Sequence, residues 1–347
     1  MFASFAKARY ILASMSDRPN SDRRFSVAPM MDWTDRHCRA FHRVLTRQAL
    51  LYTEMAVDQA LIHGDPERLI GFDPAEHPVA IQLGGAEPES LAHAAKIAEG
   101  FGYAEINLNV GCPSDRVQSG CFGARLMLEP ERVRDCLVAM REAVTAPVTV
   151  KHRLGVNDQD PETTLFSFVD TVAQSGVTSF TVHARKAWLK GLSPKENRDV
   201  PPLDYDLVHR LKRERSDLEI ILNGGLKNLE QAIENKAGLD GVMLGRAAYQ
   251  TPWTLSEVDS CFFGEPDPVS DPVEAVLAYR PYMERQLAEG VKLHAMTRHM
   301  LGLFAGRPGA RKWRQILSAD ANTPGADWSV VERALDAVAS QREPVSA

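Results

Sequence analysis

Apolar positions along the chain gather into eight short runs, separated by stretches with a helical repeat. The runs are Phe25–Pro29, Leu50–Met55, Pro78–Gly84, Tyr103–Val110, Pro147–Arg153, Ser179–Ala184, Glu219–Gly225 and Gly241–Arg246. Several are nearly continuous (AIQL, VTV, EIIL, GVML), as expected for strands covered on both faces. Between them, Glu129-Pro130-Glu131 puts proline and acids into a first helical turn. Val133, Cys136, Leu137, Met140 and Val144 then follow at helical spacing. Thr34 is expected to cap an earlier helix, with Cys38, Phe41 and Leu45 facing inward. Eight strands alternating with helices predict an α/β fold, a closed (β/α)8 (TIM-type) barrel. An open doubly wound sheet fits less well, because no GxGxxG follows the first strand.

The alternation stops at Phe263–Val273 (FGEPDPVSDPV), where Pro, Asp and Gly cluster. Only helical patterns follow, near 273–289, 293–304, 309–319 and 328–340. The expected organisation is a tail over 1–24, a barrel over 25–262, a linker over 263–272 and a small all-α domain over 273–347. A length of 347 residues suits that division, since one barrel takes about 250. The tail lacks the apolar core of a signal peptide, and Met15 is a second candidate start.

Composition narrows the function classes. Hydrophobic residues make up 44% and charged residues 25%, which excludes a disordered chain. No apolar run approaches the roughly 20 residues that span a bilayer, so no membrane partner is expected. Five cysteines (Cys38, Cys112, Cys121, Cys136, Cys261) form no CxxC pair and no metal-ligand spacing. That pattern suits a reducing cytoplasm and no metal.

The net charge of −6 argues against a general nucleic-acid binder, but it is uneven. From Pro272 onward ten Lys and Arg face eight Asp and Glu, so the tail is +2 and the rest −8. Lys292 to Arg314 holds six basic residues (Lys292, Arg298, Arg307, Arg311, Lys312, Arg314) and no acid. Such a run is either a solvated face or a polyanion footprint.

Active sites of such barrels lie in the loops after the strands. Those positions carry Pro29, Met30, Met31, Gln82, Asn107, Asn109, Cys112, Lys151, His183, Asn223-Gly224-Gly225 and Gly245-Arg246. Two of the loops, Val110–Leu128 and Arg185–Pro202, are long. Glycines and an arginine after the last two strands suit a phosphate, since glycine admits close backbone approach and arginine binds bidentately. Lys151 interrupts an apolar strand, so it is either half of a buried ion pair or a cation beside an anionic cofactor ring. Gln82 offers donor and acceptor together, suiting the imide edge of a flavin or pyrimidine. His183 reads as a core histidine or, beside Arg185 and Lys186, as polyanion-facing. Cys112, in NVGCPS, is placed to act as a general acid, with Cys121 its competitor in the same loop.

Together these segments resemble the tRNA-dihydrouridine synthases, in particular their A subfamily. The resemblance is carried by SVAPMMDWTDRHCR (26–39), EINLNVGCPSDRVQSGCFGARLM (105–127), VTVKHRLGVND (148–158) and VHARKAWLKGLSPKENRDVPPLDY (182–205). ILNGG (221–225), GVMLGR (241–246) and TRHMLGLFAGRPGARKWR (297–314) complete it. The resemblance implies an FMN-containing barrel and a helical tRNA-binding domain, with NADPH as reductant and tRNA uridines 20 and 20a of the D loop as substrate. It implies that Pro29, Met30, Met31, Gln82, Lys151, His183, Asn223, Gly224, Gly225, Gly245 and Arg246 hold FMN. Asn109 is then expected at the uracil and Cys112 as proton donor, with Lys195, Arg198, Arg311 and Arg314 on the tRNA. The chain departs from the family pattern in carrying Cys121 and Arg125 where a non-cysteine and a cysteine are common. A monomer is expected. The rival readings are an FMN barrel reducing a small-molecule enone or pyrimidine, and a non-catalytic tRNA-binding protein.

Overall fold

The computed structural model describes residues 21–114, 117 and 120–340. Residues 1–20 of the expected tail and 341–347 of the expected helical domain lie outside the described residues. Eight parallel strands follow one another around a closed barrel. They are β1 (Phe25–Val27), β2 (Leu50–Val57), β3 (Val79–Gly84), β4 (Glu105–Val110), β5 (Val148–Arg153), β6 (Ser179–His183), β7 (Glu219–Asn223) and β8 (Gly241–Leu244). β8 pairs with β1, Phe25 opposite Val242, which closes the ring. Each strand overlaps its predicted run, and β2 continues beyond Met55 to Val57.

The closed barrel follows from strands that are apolar on both faces. β3 and β4 are buried at every position. Inward-facing Ala28, Leu50, Tyr52, Ala80, Ile221 and Met243 form an inner cluster, while the outward faces meet the helices in a larger core. The helix Pro130–Ala143 buries Val133, Cys136, Leu137 and Met140, and ends at Val144. The helix Arg36–Leu45 buries Cys38, Phe41 and Leu45 as predicted, but its cap is Asp35 rather than Thr34. The Asp35 carboxylate accepts from Cys38 N at 2.9 Å. The Thr34 hydroxyl is already engaged by Met30, accepting from its N at 3.0 Å and donating to its O at 3.2 Å.

The last residues of the expected tail belong to the barrel floor. Arg23 Nε donates to Glu105 Oε2 at 2.5 Å and Arg23 NH1 to Glu219 Oε2 at 2.9 Å. Those carboxylates stand at the first residues of β4 and β7, so the guanidinium seals the end opposite the loops.

Beyond the barrel come the helices Pro272–Ala288, Leu293–Thr297, Ala310–Asp320 and Trp328–Ala339. The helix expected over 293–304 stops at Thr297, with a 3₁₀ turn over Arg298–Met300. Beyond the turn a Cβ at Gly302 would lie 1.9 Å from the Gln250 carbonyl, so the chain packs directly against the segment after β8. This helical part also clasps the loop after β1. Asp35 pairs with Arg298 and, at 3.0 Å, with His299 Nε2. Tyr279 donates to the His37 carbonyl at 2.8 Å and packs its ring tilted against Phe41 at 5.2 Å.

Candidate active site

The C-terminal ends of the strands gather most of the expected residues at one mouth. At β3 and β4, Gln82 is 1% exposed, and its Oε1 accepts from Asn109 Nδ2 at 2.7 Å. Asn109 Oδ1 accepts in turn from the backbone N–H groups of Gly111 at 3.1 Å and Cys112 at 3.0 Å. Asn109 thereby fixes where the loop lifts Cys112, which is partly exposed. The competitor Cys121 is exposed and sits in the left-handed region with φ 59°.

At β5, Lys151 Nζ donates to Asn223 Oδ1 at 2.9 Å. Among the described residues no carboxylate pairs with it, so the reading of Lys151 as half of a structural ion pair falls. Burial, and then the nearby Arg153, pull its pKa down to about 7. Asn223 Nδ2 donates to the Met243 carbonyl at 2.8 Å, holding its oxygen toward Lys151. Burial and the surrounding Arg153, Lys151 and Arg185 hold His183 well below the ordinary histidine range, so it is a neutral imidazole there. Gly224 (φ 109°) packs on it so closely that a Cβ would lie 2.6 Å from His183 Cδ2. Tyr205 donates to the Gly224 carbonyl at 2.6 Å and fixes that turn.

Gly245 leaves room at the end of β8, where a Cβ would meet only Ala28 and Met30 Sδ at 3.8 Å. Met30 is part-buried, Met31 is 55% exposed, and Pro29 precedes them in the loop after β1. Arg246 is partnered, pairing with Asp199 at 2.8 Å. Asp199 lies in the loop after β6 beside Arg198 and beside Arg185, whose pKa is pulled down by burial and by the neighbouring Arg246 charge. Lys195 and Arg198 are exposed on that loop.

Arg311 and Arg314 stand apart from the mouth on the exposed face of Ala310–Asp320, whose Trp313 and Leu317 are buried. The basic run is not uniform. Arg298 is tied to Asp35, and Arg307 lies over the Trp253 ring at 5.1 Å, while Lys292, Arg311, Lys312 and Arg314 are exposed. Sequence reasoning missed Arg153, whose Nε donates to the Gly111 carbonyl at 3.0 Å and whose NH1 donates to that of Asn197 at 2.9 Å. It thus joins the Cys112 loop to the loop after β6. Asp199, Glu105 and Thr149 were also missed, whereas Asn107, which bonds Gln82 at 2.8 Å, was among the expected strand-end residues. The alternating Glu105, Asn107 and Asn109 in an apolar strand were the available signal.

The comparisons decide the lineage. The dihydrouridine synthase family model matches residues 26–339. The chain belongs to the dihydrouridine synthase family. It is 58% identical to a tRNA-dihydrouridine(20/20a) synthase of Yersinia pestis, covering 90% of each chain. It is 56% identical to one of Xanthomonas axonopodis pv. citri, covering 94% of this chain and 97% of that one. A third, from Escherichia coli K12, is 56% identical over 92% of each. Among solved structures, a 2-naphthoyl-CoA reductase complex superposes with TM-score 0.52 at 11% identity, covering 68% of this chain and 49% of that one. TcOYE with pHBA gives 0.50 at 12% identity, covering 73% and 92%. At such identities these two speak for the barrel fold alone. Among the described residues no helix is long and apolar enough to cross a membrane, and no cluster of metal-ligating side chains occurs.

Proposed function

We propose that this protein reduces uridine to 5,6-dihydrouridine in the D loop of tRNA, at positions 20 and 20a, using FMN and NADPH in a reducing cytoplasm. The residues fit a flavin phosphate ester. Lys151 is a part-buried amine that no carboxylate among the described residues pairs with, and that observation carries the reading. Gly245 leaves room for close backbone approach, whereas Gly224 and Gly225 are packed against His183 and against Leu203 and Tyr205; Gln82 and Asn109 supply amide donors and acceptors. Arg246 would exchange Asp199 for phosphate, a stronger bidentate partner.

Bound FMN, reduced by NADPH, would supply the hydride to C6 of the uracil. Asn109 would orient the base, while Cys112 gives its Sγ proton to C5, completing reduction of the C5=C6 bond. Arg153, which donates to the Gly111 carbonyl beside Cys112, would help hold the charge left on sulfur. Lys151, in a site of low dielectric, would also stabilise negative charge developing on the ring. A uridine stacked in the tRNA must be extruded to reach the mouth, at a cost of a few kcal/mol. Phosphate contacts from Lys195, Arg198, Arg311 and Arg314 would offset it.

The test is the purified protein with tRNA lacking dihydrouridine. Flavin absorbance, NADPH- and tRNA-dependent flavin turnover, and a mass gain of two hydrogens in the D-loop fragment are expected. Flavin reoxidation by a free enone but not by tRNA would favour the small-molecule rival. A colourless protein that binds tRNA would favour the non-catalytic one.

A further inference from the structure

Beneath the site, side chains along the barrel axis form an unbroken hydrogen-bonded chain from the floor to the mouth. Glu105 begins it. Its Oε2 accepts from Arg23 Nε at 2.5 Å, and its Oε1 accepts from Thr149 Oγ1 at 2.5 Å and from the Tyr52 hydroxyl. Thr149 Oγ1 accepts from Asn107 Nδ2 at 2.8 Å. Asn107 Oδ1 accepts from Gln82 Nε2 at 2.8 Å, and Gln82 Oε1 accepts from Asn109 Nδ2 at 2.7 Å. Asn109 Oδ1 ends the chain on the N–H groups of Gly111 and Cys112. Glu105, Asn107, Asn109, Gln82 and Thr149 are all buried.

The chain has a direction, and its two ends set it. A carboxamide can turn end for end, exchanging oxygen for NH2 with little change in shape. A carboxylate can only accept, and a backbone N–H can only donate. With Glu105 at the floor, Thr149 must donate downward, so its oxygen is left to accept from Asn107. Asn107 then presents oxygen to Gln82, and Gln82 presents oxygen to Asn109. At the roof the Gly111 and Cys112 N–H groups require the Asn109 oxygen, which agrees with the order imposed from below. Turning any one amide would set NH2 against NH2 or oxygen against oxygen in a buried site, a costly mismatch.

We propose that Glu105, Thr149 and Asn107 are positioning residues that fix which end of the Gln82 and Asn109 amides faces the mouth. They thereby set the donor–acceptor pattern offered to a flavin ring and to uracil carbonyls. Each amide keeps one N–H outside the chain, and the Gln82 oxygen keeps one lone pair while the Asn109 oxygen is filled, so Gln82 suits a donor–acceptor edge and Asn109 a carbonyl oxygen. The inference rests on the reading above that Gln82 faces the cofactor and Asn109 the base.

The experiment uses the flavin-loaded protein with tRNA. Thr149→Val keeps the side chain's shape and the Arg23–Glu105 pair but removes the relay. It should shift the flavin absorption band and lower kcat roughly tenfold, equivalent to about 1.4 kcal/mol, with KM for tRNA unchanged. Thr149→Ser should restore both. Asn107→Leu breaks the next link without touching Thr149, and should reproduce the shift if Thr149→Val does not fold. Gln82→Leu tests the underlying reading. If it leaves the flavin band unmoved, Gln82 does not face the ring and both readings fall. If Gln82→Leu moves the band while Thr149→Val and Asn107→Leu lower only the melting temperature, the relay is merely structural. A raised KM at unchanged kcat in the relay variants overturns it equally.

Discussion

Replacing Arg311 and Arg314 together by Gln tests the phosphate-gripping role of the helix Ala310–Asp320. The two arginines are three residues apart, on the same side of the helix, and exposed, while Trp313 and Leu317 face the core. No carboxylate among the described residues pairs with either, so the substitutions remove charge without stranding a partner. Each phosphate contact contributes about 0.7–0.9 to the slope of log K against log salt, so losing two should flatten it by about 1.6. Referred to 1 M salt, the same slope gives about sixfold weaker binding per contact at 0.1 M, or about 40-fold for the pair. At 0.3 M the loss shrinks to about sevenfold. Fluorescence anisotropy of labelled tRNA across a salt series measures both quantities, and flavin content should stay normal. Arg298→Gln is the internal control. Its guanidinium belongs to Asp35, so the salt slope should not change. An unchanged slope in the double variant, or an equal loss in Arg298→Gln, would refute the assignment of the grip to this helix.

Cys112→Ala should retain flavin and tRNA binding but form dihydrouridine roughly 10²–10⁴-fold more slowly, while Cys121→Ala changes little; the reverse order in single-turnover assays reassigns the acid. Lys151 is protonated up to 10.5 when unfolded but only up to about 7 when folded, so the unfolded chain binds more protons between those values. Stability of the cofactor-free protein should therefore rise with pH through that window, and Lys151→Met should abolish the rise in denaturant titrations; an equal rise in the variant removes Lys151 as its source. Gly224→Ala forces a Cβ against the His183 ring at a φ of 109°, which should cost about 1–3 kcal/mol in stability and loosen flavin retention. Unaltered melting and flavin content would show that the turn tolerates a side chain.

The fold was legible because periodicity is local. Strands apolar on both faces and helices with one apolar stripe announce themselves within a few residues, and eight such alternations leave few topologies. The mouth was legible in outline for the same reason, since strand ends select their following residues. What escaped was long-range pairing. Arg23 meets Glu105 and Glu219 across 82 and 196 positions of sequence, and nothing near Arg23 marks it as the floor of a barrel. Asp199, which occupies Arg246, is one of two acids in an exposed loop, the other being Glu196. The helix cap shows a subtler failure. Thr34 and Asp35 are both good caps, and the choice fell to Asp35 because Thr34 was taken by Met30, a contact that propensity alone does not reveal.

The clasp at Asp35 gives the molecule a property that neither of its parts has alone. One carboxylate caps the helix leaving β1 and holds Arg298 and His299, while Trp313, in the helix bearing Arg311 and Arg314, donates to the Met300 carbonyl at 2.9 Å. With that helix as the proposed tRNA grip, these bonds set the separation of grip and mouth, like the jaws of a gauge. A folded tRNA seated on that helix would offer the barrel only nucleotides lying one gauge length from the seat. Selection among neighbouring uridines would then be a measurement of distance, with no need to read the bases around them.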